Sequence, residues 1–311
     1  MDGILNINKP EGRSSFSVVS LVKKLSGERR VGHAGTLDPA ASGVLPVCLG
    51  QATRIVEFLM DTAKVYRAEV EMGVVTDTYD AEGRVMRRSD PSGLDRQQLE
   101  KGLVSFRGLI SQVPPMYSAV KHQGKPLYKL ARVGVTVGRK SRLVRIYSLE
   151  LSGWQPPLAT IEVACARGTY IRALAHDLGQ ALGCGACLKN LVRLRCGSFG
   201  IEDAVSLPQI EAAFRGGYGQ RYLHPVDSVL THLPVMVVDD DGARDISHGK
   251  VVPGDSPLGQ DARTQDRELC RAYTIDGHFL GVLRFCSVRG WWQPEKVFIQ
   301  PDLLHCGAGR E

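Results

Sequence analysis

The sequence predicts an α+β fold, in which a central mixed or antiparallel sheet is flanked by helices. Strand-like and helix-like segments mix along the chain without the strict strand–helix–strand alternation that produces a parallel sheet. Residues 143–154 and 158–166 form two long strand-like segments joined through Pro156 and Pro157, which predicts an antiparallel pair. From about residue 231 the pattern changes to short β-like pieces separated by turn residues, which predicts a second, smaller β unit.

The first half of the chain predicts its elements in a readable order. Residues 4–7 predict a short strand, and residues 16–25 a helix, because the apolar side chains at 18, 19, 21, 22 and 25 share one face and Ser14 or Ser15 can cap it. Residues 44–49 are apolar throughout and predict a buried strand, followed by a helix over 52–60. Residues 66–72 alternate as a half-buried strand does.

The remaining elements follow in the same way. Residues 94–106 and 170–182 predict helices, and residues 188–199 predict a strand. Beyond residue 231, strand-like pieces occur at 233–238, 251–253, 270–275, 279–285 and 296–299, with a flexible loop expected over 254–267. We therefore expect two domains, 1–230 and 231–311. Trp291 and Trp292 fit core or rim packing better than a base-stacking site.

Composition sets limits on the class of protein. The 311 residues carry a net charge of +6, a mild excess that suits a polyanionic partner without identifying one. Apolar residues at 43% and charged residues at 23% are ordinary for a soluble globular protein. We found no long apolar span, no signal-peptide pattern and no phosphate-binding glycine motif. The expectation is a soluble cytoplasmic protein without a membrane partner or a cofactor.

The eight cysteines predict neither disulfides nor a metal site. Cys184 and Cys187 form a C-x-x-C pair, but no second pair or histidine pair follows at the spacing that zinc requires. A redox couple, or half of a metal site shared between subunits, remains the alternative. In a chain without a secretory signal, reduced and partly buried thiols are the better interpretation.

Residues 32–45, GHAGTLDPAASGVL, are the most informative stretch. Three glycines in this stretch indicate unusual backbone angles or the close approach of another molecule. Asp38 is its one carboxylate, and it precedes a strand that enters the core. Such a carboxylate is placed as a catalytic group would be, although an Asp–Pro pair that only braces a turn has the same pattern.

Residues 121–149 carry eight positive charges and no aspartate or glutamate. Charges of one sign repel each other unless an anion neutralises them, and a phosphate backbone is the commonest such partner. Tyr117, Tyr128 and Tyr147 are interleaved with these charges, as stacking platforms for bases would be. The alternative is a solvated, mobile loop with an accidental basic bias.

Six motifs occur in order along the chain. They are 8–10 (NKP), 32–39 (GHAGTLDP) in the glycine-rich stretch, 64–67 (KVYR), 76–80 (TDTYD), 114–121 (PPMYSAVK) and 167–172 (RGTYIR). In content and order they closely resemble the motifs of the TruB family of bacterial tRNA pseudouridine-55 synthases, whose glycine-rich motif reads G-H-x-G-x-L-D-P. The resemblance spans residues 3 to about 200. It implies a pseudouridine-synthase fold and the isomerisation of uridine 55 in the tRNA T-loop, by cleaving C1′–N1 and forming C1′–C5 with a single catalytic aspartate and base flipping.

The resemblance also assigns roles at the site. Asp38 matches the catalytic aspartate, and Arg172 the arginine that would keep it ionised, lower its pKa and orient it through bidentate bonds. Tyr66 matches the tyrosine that stacks on the target base and helps remove the C5 proton. Whether Asp38 attacks the sugar or abstracts a ribose proton stays open.

A further group of residues would bind the substrate. His33 matches the histidine that fills the space of the flipped base, and Lys9 would lie near the RNA backbone or brace the active-site loop. The residues expected to bind substrate are His33, Lys9, Asp80, Tyr170, Leu191, Lys121, Lys125, Lys129, Arg139 and Lys140. The basic segment, about 121–149, resembles the family's thumb insertion, and residues 276–281 and 294–298 resemble a PUA-like RNA-binding domain.

A few positions depart from the family pattern. Ala34, Ala40 and Ser42 replace other residues of the motif, and Val192 stands where an arginine is frequent, which puts a phosphate contact in doubt. Dyskerin-type relatives that use guide RNA and protein partners lack a comparable thumb, so we expect a monomer that needs neither. A non-catalytic RNA-binding protein would not need Asp38, Tyr66 and Arg172 together. A hydrolase would need a second carboxylate, and the Asp38 stretch has none.

Overall fold

The computed structural model describes residues 1–253 and 268–298, and its architecture is the predicted α+β fold with a mixed sheet. The helices are α1 (Ser15–Ser26), α2 (Val56–Asp61), α3 (Arg96–Val104), α4 (Leu127–Arg132), α5 (Ile171–Ala181), α6 (Leu207–Arg215) and α7 (Asp240–Ser247). Three 3-10 helices cover Gly50–Ile55, Gly219–Tyr222 and Val226–Val229.

The strands are β1 (Gly3–Lys9), β2 (Val31–His33), β3 (Ser42–Leu49), β4 (Lys64–Met72), β5 (Val74–Thr76), β6 (Val85–Arg88), β7 (Gly108–Gln112), β8 (Lys121–His122), β9 (Lys125–Pro126), β10 (Arg142–Gln155), β11 (Leu158–Cys165), β12 (Ala186–Cys196), β13 (Phe199–Gly200), β14 (Val205–Ser206), β15 (Leu223–His224), β16 (Val235–Val238), β17 (Val252–Pro253), β18 (Leu269–Thr274), β19 (Phe279–Cys286) and β20 (Trp291–Val297).

The large sheet runs in the order β14-β1-β3-β12-β4-β11-β10-β7, with three short strands attached to it. Most neighbours are antiparallel, but β12 pairs with β3 in parallel at Val192–Ser42 and Arg193–Gly43. This pairing brings β12 beside the start of β3, where the Asp38 loop ends. Gly43 permits the approach, because a Cβ at its position would lie 2.3 Å from the Arg193 carbonyl oxygen.

Helices cover the sheet on apolar faces. On α5, Leu174 and Leu178 pack with sheet residues such as Val70 and Ile161 in the largest core cluster. Helix α1 packs in a second cluster with β1 and β3, and its N-terminus is capped as predicted, because the Ser14 side chain accepts a hydrogen bond from the Ser17 amide at 3.1 Å. Because Leu174 and Leu178 are buried in the core, helix α5, which supplies Arg172, is held in a fixed position on the sheet.

The C-terminal part forms a five-stranded sheet in the order β16-β18-β19-β20-β17, with α7 against it. It also shares a hydrophobic cluster with the rest of the chain, in which Val282 and Phe298 pack among Ile55, Leu59 and Phe199. Lys296 forms an ion pair with Glu57 at 2.7 Å across the same junction. The division into domains at residue 230 stays a prediction, but the two parts are joined by a common apolar core.

Most predicted elements are confirmed, but the structure differs from the prediction at several places. The predicted helix over 52–60 begins as a 3-10 helix, Gly50–Ile55, before α2. Helices α4, α6 and α7 were not predicted, nor were strands such as β5, β6 and β7. Strand β20 begins at Trp291, not at residue 296, and Trp292 is buried in the core as expected. The loop predicted over 254–267 lies outside the described residues.

The basic insertion ends earlier than residue 149. From Arg142 the chain is already in β10, a 14-residue strand paired with both β7 and β11, because the alternating apolar side chains Val144, Ile146 and Leu149 are buried. The part outside the central sheet therefore runs to residue 141. It contains the β8–β9 hairpin and α4.

Candidate active site

A cavity of about 800 Å³ lies where the Asp38 loop, β4, β12 and the start of α5 meet. The loop after β5 and residues of the basic insertion complete its wall. Of the residues that the sequence predicts for the site, Asp38, Tyr66, Asp80, Tyr170, Arg172 and Leu191 line this cavity. His33, Lys9 and the predicted basic residues of the insertion do not.

The Asp38 loop is fastened on both sides of the carboxylate. The buried Ser15 hydroxyl accepts a hydrogen bond from the Leu37 amide at 2.9 Å and donates to the Leu37 carbonyl at 3.0 Å. The Gly12 amide donates to the Pro39 carbonyl at 2.9 Å. Because these bonds are made by the backbone of the loop, the side chain of Asp38 is presented from a rigid base.

Arg172 contacts two carboxylates. Its Nη2 lies 2.9 Å from Oδ2 of Asp38, and its Nη1 lies 3.3 Å from Oδ2 of Asp80. The same guanidinium donates to the Tyr117 carbonyl at 2.9 Å. The predicted bidentate bond between Arg172 and Asp38 is therefore wrong, since the fork of the arginine is divided between two acids.

Asp80 is a fixed part of this group. Its Oδ1 accepts from the Thr78 hydroxyl at 2.5 Å and from the Glu82 amide at 3.2 Å, and its backbone forms a bridge with Leu188 of β12. The side chain is 14% exposed, whereas that of Asp38 is 44% exposed. Asp80 therefore anchors Arg172, and Asp38 faces the cavity.

The pKa of Asp38 is raised above its ordinary value, chiefly by burial and secondly by the charge of Asp80. Arg172 acts in the opposite direction but does not outweigh these effects. Arg172 thus lowers the pKa of Asp38 as predicted, but the net shift is upward, because burial at the cavity floor and the neighbouring Asp80 were not visible in the sequence.

Tyr66 and Leu191 form the apolar wall of the cavity. Tyr66 lies on β4 directly opposite Arg193 of β12, and Leu191 is buried two residues earlier on β12. Burial raises the pKa of Tyr66, while the charge of Arg193 and a hydrogen bond from it act to lower the pKa. An apolar wall with one phenol suits a flat, partly polar ligand.

Lys9 braces the loop and does not face a ligand. Its ammonium donates to the carbonyls of Pro10, Arg13 and Pro39 at 2.8, 2.6 and 3.2 Å, and the side chain is fully buried. Three donors are thereby used, and an ammonium has no more. Of the two predicted roles, contact with the RNA backbone is corrected to bracing. Burial lowers the pKa of Lys9 to about 8.

His33 and Tyr170 lie beside the loop and the helix that carry the charged pair. His33 ends β2, where its Nδ1 is buried without a hydrogen-bond partner in the described residues, and burial lowers its pKa. Tyr170 precedes α5, and the Gln112 side chain holds its backbone by accepting from the amide at 2.8 Å and donating to the carbonyl at 3.0 Å.

The basic insertion presents its lysines to solvent. Lys121, Lys125, Lys129 and Lys140 are exposed and form no ion pair with any residue of 1–253 or 268–298. Arg139 differs, because its Nη1 donates to the Pro114 carbonyl at 3.0 Å and so fixes the insertion.

Two tyrosines of this region reach the cavity. Tyr117 and Tyr128 line it, and the guanidinium of Arg132 lies 5.5 Å from the centre of the Tyr128 ring. Tyr147 does not, since it stands 56% exposed on β10.

Two buried cations at the site were missed from the sequence. Arg193 and Lys64 both line the cavity and are almost fully buried. In the sequence, Arg193 lies between Leu191 and Arg195, and Lys64 lies in the KVYR motif. In both segments the predicted roles were assigned to other residues, Leu191 and Tyr66. Their role depends on the contact between β3, β4 and β12, which are far apart in the chain.

The C-x-x-C pair, Cys184 and Cys187, is not part of the cavity lining. Cys184 and Cys187 are both buried and free, and burial raises the pKa of Cys187 to about 11. Over residues 1–253 and 268–298, no group of three or more histidine, cysteine or acidic side chains is placed to hold a metal ion. In the same residues, no helix has both the length and the apolar character needed to cross a bilayer.

Two protein-family models and several known proteins match this chain. A model of the TruB family pseudouridylate synthase N-terminal domain matches residues 23–171, and one of the tRNA pseudouridylate synthase B C-terminal domain matches residues 172–231. The chain is 42% identical over 300 residues to the tRNA pseudouridine synthase B of Dehalococcoides mccartyi, covering 96% of this chain and 97% of the relative. It is 40% identical over 282 residues to that of Clostridium kluyveri, covering 91% and 95%.

Solved structures show the same fold. A Cbf5–Nop10–Gar1 complex contains a chain with a TM-score of 0.74 and 27% identity, covering 97% of this chain and 86% of that one. An H/ACA RNP bound to a substrate RNA containing 2′-deoxyuridine gives a TM-score of 0.72 and 25% identity, with coverage of 97% and 86%. With relatives this similar over almost their whole length, the chain belongs to the TruB family of pseudouridylate synthases.

Proposed function

We propose that this protein isomerises uridine to pseudouridine in tRNA, at position 55 of the T-loop. The observation that carries the proposal is the Asp38–Arg172–Asp80 group on the floor of a cavity walled by Tyr66 and Leu191. A carboxylate on the cavity floor, held by Arg172 and facing the apolar side chains of Tyr66 and Leu191, suits a reaction in which the base leaves the sugar and is retained. The relatives named tRNA pseudouridine synthase B support tRNA as the substrate.

The chemistry needs one carboxylate. Breaking C1′–N1 sends the bonding electron pair to the base, which turns and forms C1′–C5; the C5 proton is then lost, and N1 gains a proton. A retaining glycosidase uses a second acid to protonate its leaving group. A uracil anion delocalises its own charge, so Asp38 alone suffices, as nucleophile or as base toward the ribose. Water must be excluded, or the base is lost.

The neighbouring side chains have separate tasks. Tyr66 stacks on the base and is placed to help remove the C5 proton. Leu191 and Tyr170 shape the base pocket, and Asp80 anchors Arg172. His33, at the end of β2 beside the loop, fills the space left when the target nucleotide is extruded from the folded loop, at a cost of a few kcal/mol.

The basic insertion binds the RNA backbone. Lys121, Lys125, Lys129 and Lys140 extend into solvent without a carboxylate partner among the described residues, which favours a polyanionic ligand. The solved neighbours include a Cbf5–Nop10–Gar1 complex. We infer that the present protein, with its own basic insertion, acts as a monomer on tRNA without a guide RNA, a protein partner or a cofactor.

The test uses the purified protein alone and an unmodified tRNA transcript. Pseudouridine is expected at position 55 and at no other uridine, and Asp38→Asn is expected to abolish its formation while tRNA affinity stays within about tenfold. Asp61→Asn, a change of an exposed aspartate paired with Arg167, is the matched control. Release of free uracil would indicate a hydrolase, and tRNA binding with no modified base would indicate a binding protein; either result overturns the proposal.

A further inference from the structure

Arg193 is a buried cation without an acidic partner. Its side chain is 1% exposed, and among residues 1–253 and 268–298 no carboxylate pairs with it. Its neighbour on the strand, Arg195, is instead exposed and paired with Glu202 at 2.8 Å. Burying an unpaired charge is costly, so a buried guanidinium of this kind calls for a compensating function.

The guanidinium of Arg193 connects two parts of the site. Its Nε donates to the Val44 carbonyl at 2.6 Å, and its Nη2 donates to the Gly35 carbonyl at 3.1 Å. Gly35 is three residues before Asp38, and Val44 follows the loop in β3. On the other side, Arg193 lies opposite Tyr66 in the β4–β12 pairing, and both side chains line the cavity. One side chain therefore sets the Asp38 loop and Tyr66 in a common position.

The other buried cations beside Arg193 are also paired with neutral groups. Lys64 donates to the carbonyls of Leu59, Met60 and Thr62 at 3.1, 2.6 and 2.7 Å, and Lys9 donates to three carbonyls. The charge of Arg193 contributes to lowering the pKa of both lysines, which shows that its charge is felt across this side of the cavity. The two acids of the floor are already shared by Arg172.

We propose that Arg193 is a positioning residue of the isomerisation, which holds Tyr66 against the Asp38 loop and supplies the positive charge that stabilises the departing base anion. The inference rests on the proposed function, since a base anion forms only if C1′–N1 is broken. The bonding pair leaves with the base, and the negative charge persists until C5 bonds to C1′. A fixed charge in a low-dielectric wall acts on such an ion without reorganisation.

Two substitutions separate charge from geometry. Arg193→Lys and Arg193→Gln both retain an N–H donor that can reach a loop carbonyl, but only lysine retains the charge. For single turnover on a saturating tRNA transcript, we expect Arg193→Gln to lose about 100- to 1,000-fold in rate and Arg193→Lys distinctly less. Arg195→Gln, on the same strand but at the surface, should match the wild type. Unfolding and tRNA affinity are measured for all three, so that a folding defect is recognised.

A second substrate tests the charge directly. Fluorine at C5 withdraws electrons and makes the base a more stable anion, so a tRNA carrying 5-fluorouridine at the target position needs less help from the protein. The loss of C1′–N1 cleavage caused by Arg193→Gln should therefore be smaller on this substrate than on uridine. A merely structural role would lower both rates by the same factor.

The outcomes are distinct from those of the proposed function. A wild-type protein that forms no pseudouridine refutes the function itself. If the wild-type protein forms pseudouridine, but Arg193→Lys and Arg193→Gln are equally impaired and lose the same factor on both substrates, only the proposed role of the Arg193 charge is refuted. The inference is also wrong if Arg193→Gln is folded and as fast as the wild type.

Discussion

The contact between β3 and β12 gives a sharp prediction about Gly43. This glycine has φ +104°, and a Cβ at its position would lie 2.3 Å from the carbonyl oxygen of Arg193 and 2.8 Å from its amide nitrogen. These are backbone atoms of a paired strand, so they cannot rotate away as the end of a side chain can. Gly43→Ala must therefore move β12 relative to β3.

The magnitude follows from two costs. A residue with a side chain at this φ costs about 1–3 kcal/mol, and overpacking a closed contact costs about 1–3 kcal/mol more. We expect Gly43→Ala to lower the free energy of unfolding by roughly 2–6 kcal/mol. Gly27→Ala is the matched control, because Gly27 ends α1 at φ +68° with nothing within 4 Å of the added atom. It should show the first cost alone.

Urea denaturation followed by tryptophan fluorescence measures both variants. The activity gives an independent reading, because the displaced strand carries Arg193 and Leu191. At a temperature where both variants are folded, Gly43→Ala should isomerise uridine more slowly than Gly27→Ala. If the two substitutions cost the same in stability and leave the same activity, the parallel contact relaxes freely and does not fix the site.

Three further predictions concern binding, pH and the C-terminal sheet. We expect a weaker salt dependence of tRNA binding when Lys121, Lys125, Lys129 and Lys140 are changed to alanine. The slope of log K against log salt concentration should become smaller by up to about 0.9 for each phosphate that is no longer neutralised. An unchanged slope, or an equal effect of the control Arg96→Ala on α3, would contradict this. Because the pKa of Asp38 is raised, its carboxyl group becomes protonated at a higher pH than that of an ordinary aspartate. The single-turnover rate at saturating tRNA should therefore fall as the pH is lowered through that raised pKa, and not only near the ordinary value of 3.8. A rate that stays constant down to the ordinary value would disprove this prediction. Ending the chain at residue 230 should expose Ile55, Leu59 and Phe199, so the fragment should bind an apolar dye and unfold more easily than the full chain; a fragment as stable as the whole would show that the shared core contributes nothing.

Residues that a motif fixes on one element lie together in the structure. Asp38, Tyr66, Leu191 and Arg172 all line one cavity, although they lie on four separate segments of the chain. Local patterns were also enough for most of the longer strands and for helices α1, α2, α3 and α5, because alternation and helical spacing report which face is buried. Helix α7 escaped because its buried face contains only Ala243 and Ile246 as apolar side chains, too few for a helical spacing to stand out in the sequence.

What the sequence could not show is which partner each charged residue meets. Lys9 was expected either near RNA or bracing the active-site loop, and only the three carbonyls around it decide for bracing. Arg139 donates to the Pro114 carbonyl, where a phosphate contact was expected. In the segment around Val192, the sequence drew attention to the arginine that the family has at that position and this chain lacks. The next residue, Arg193, is the one whose buried guanidinium contacts Gly35 and Val44. Each of these contacts joins residues brought together only by the folded sheet, so no spacing along the chain reports it.

The divided fork of Arg172 has a consequence for the reactivity of Asp38. A bidentate bond would occupy both oxygens of the carboxylate and would stabilise its ionised form most strongly. Here Arg172 reaches Asp38 through Oδ2 alone and gives its other arm to Asp80, while burial and the Asp80 charge raise the pKa of Asp38. A carboxylate with a raised pKa is both a better nucleophile and a stronger base, which serves attack on the sugar and proton abstraction alike. The arrangement therefore orients Asp38 without suppressing its reactivity, and Asp80 is the residue that makes this possible.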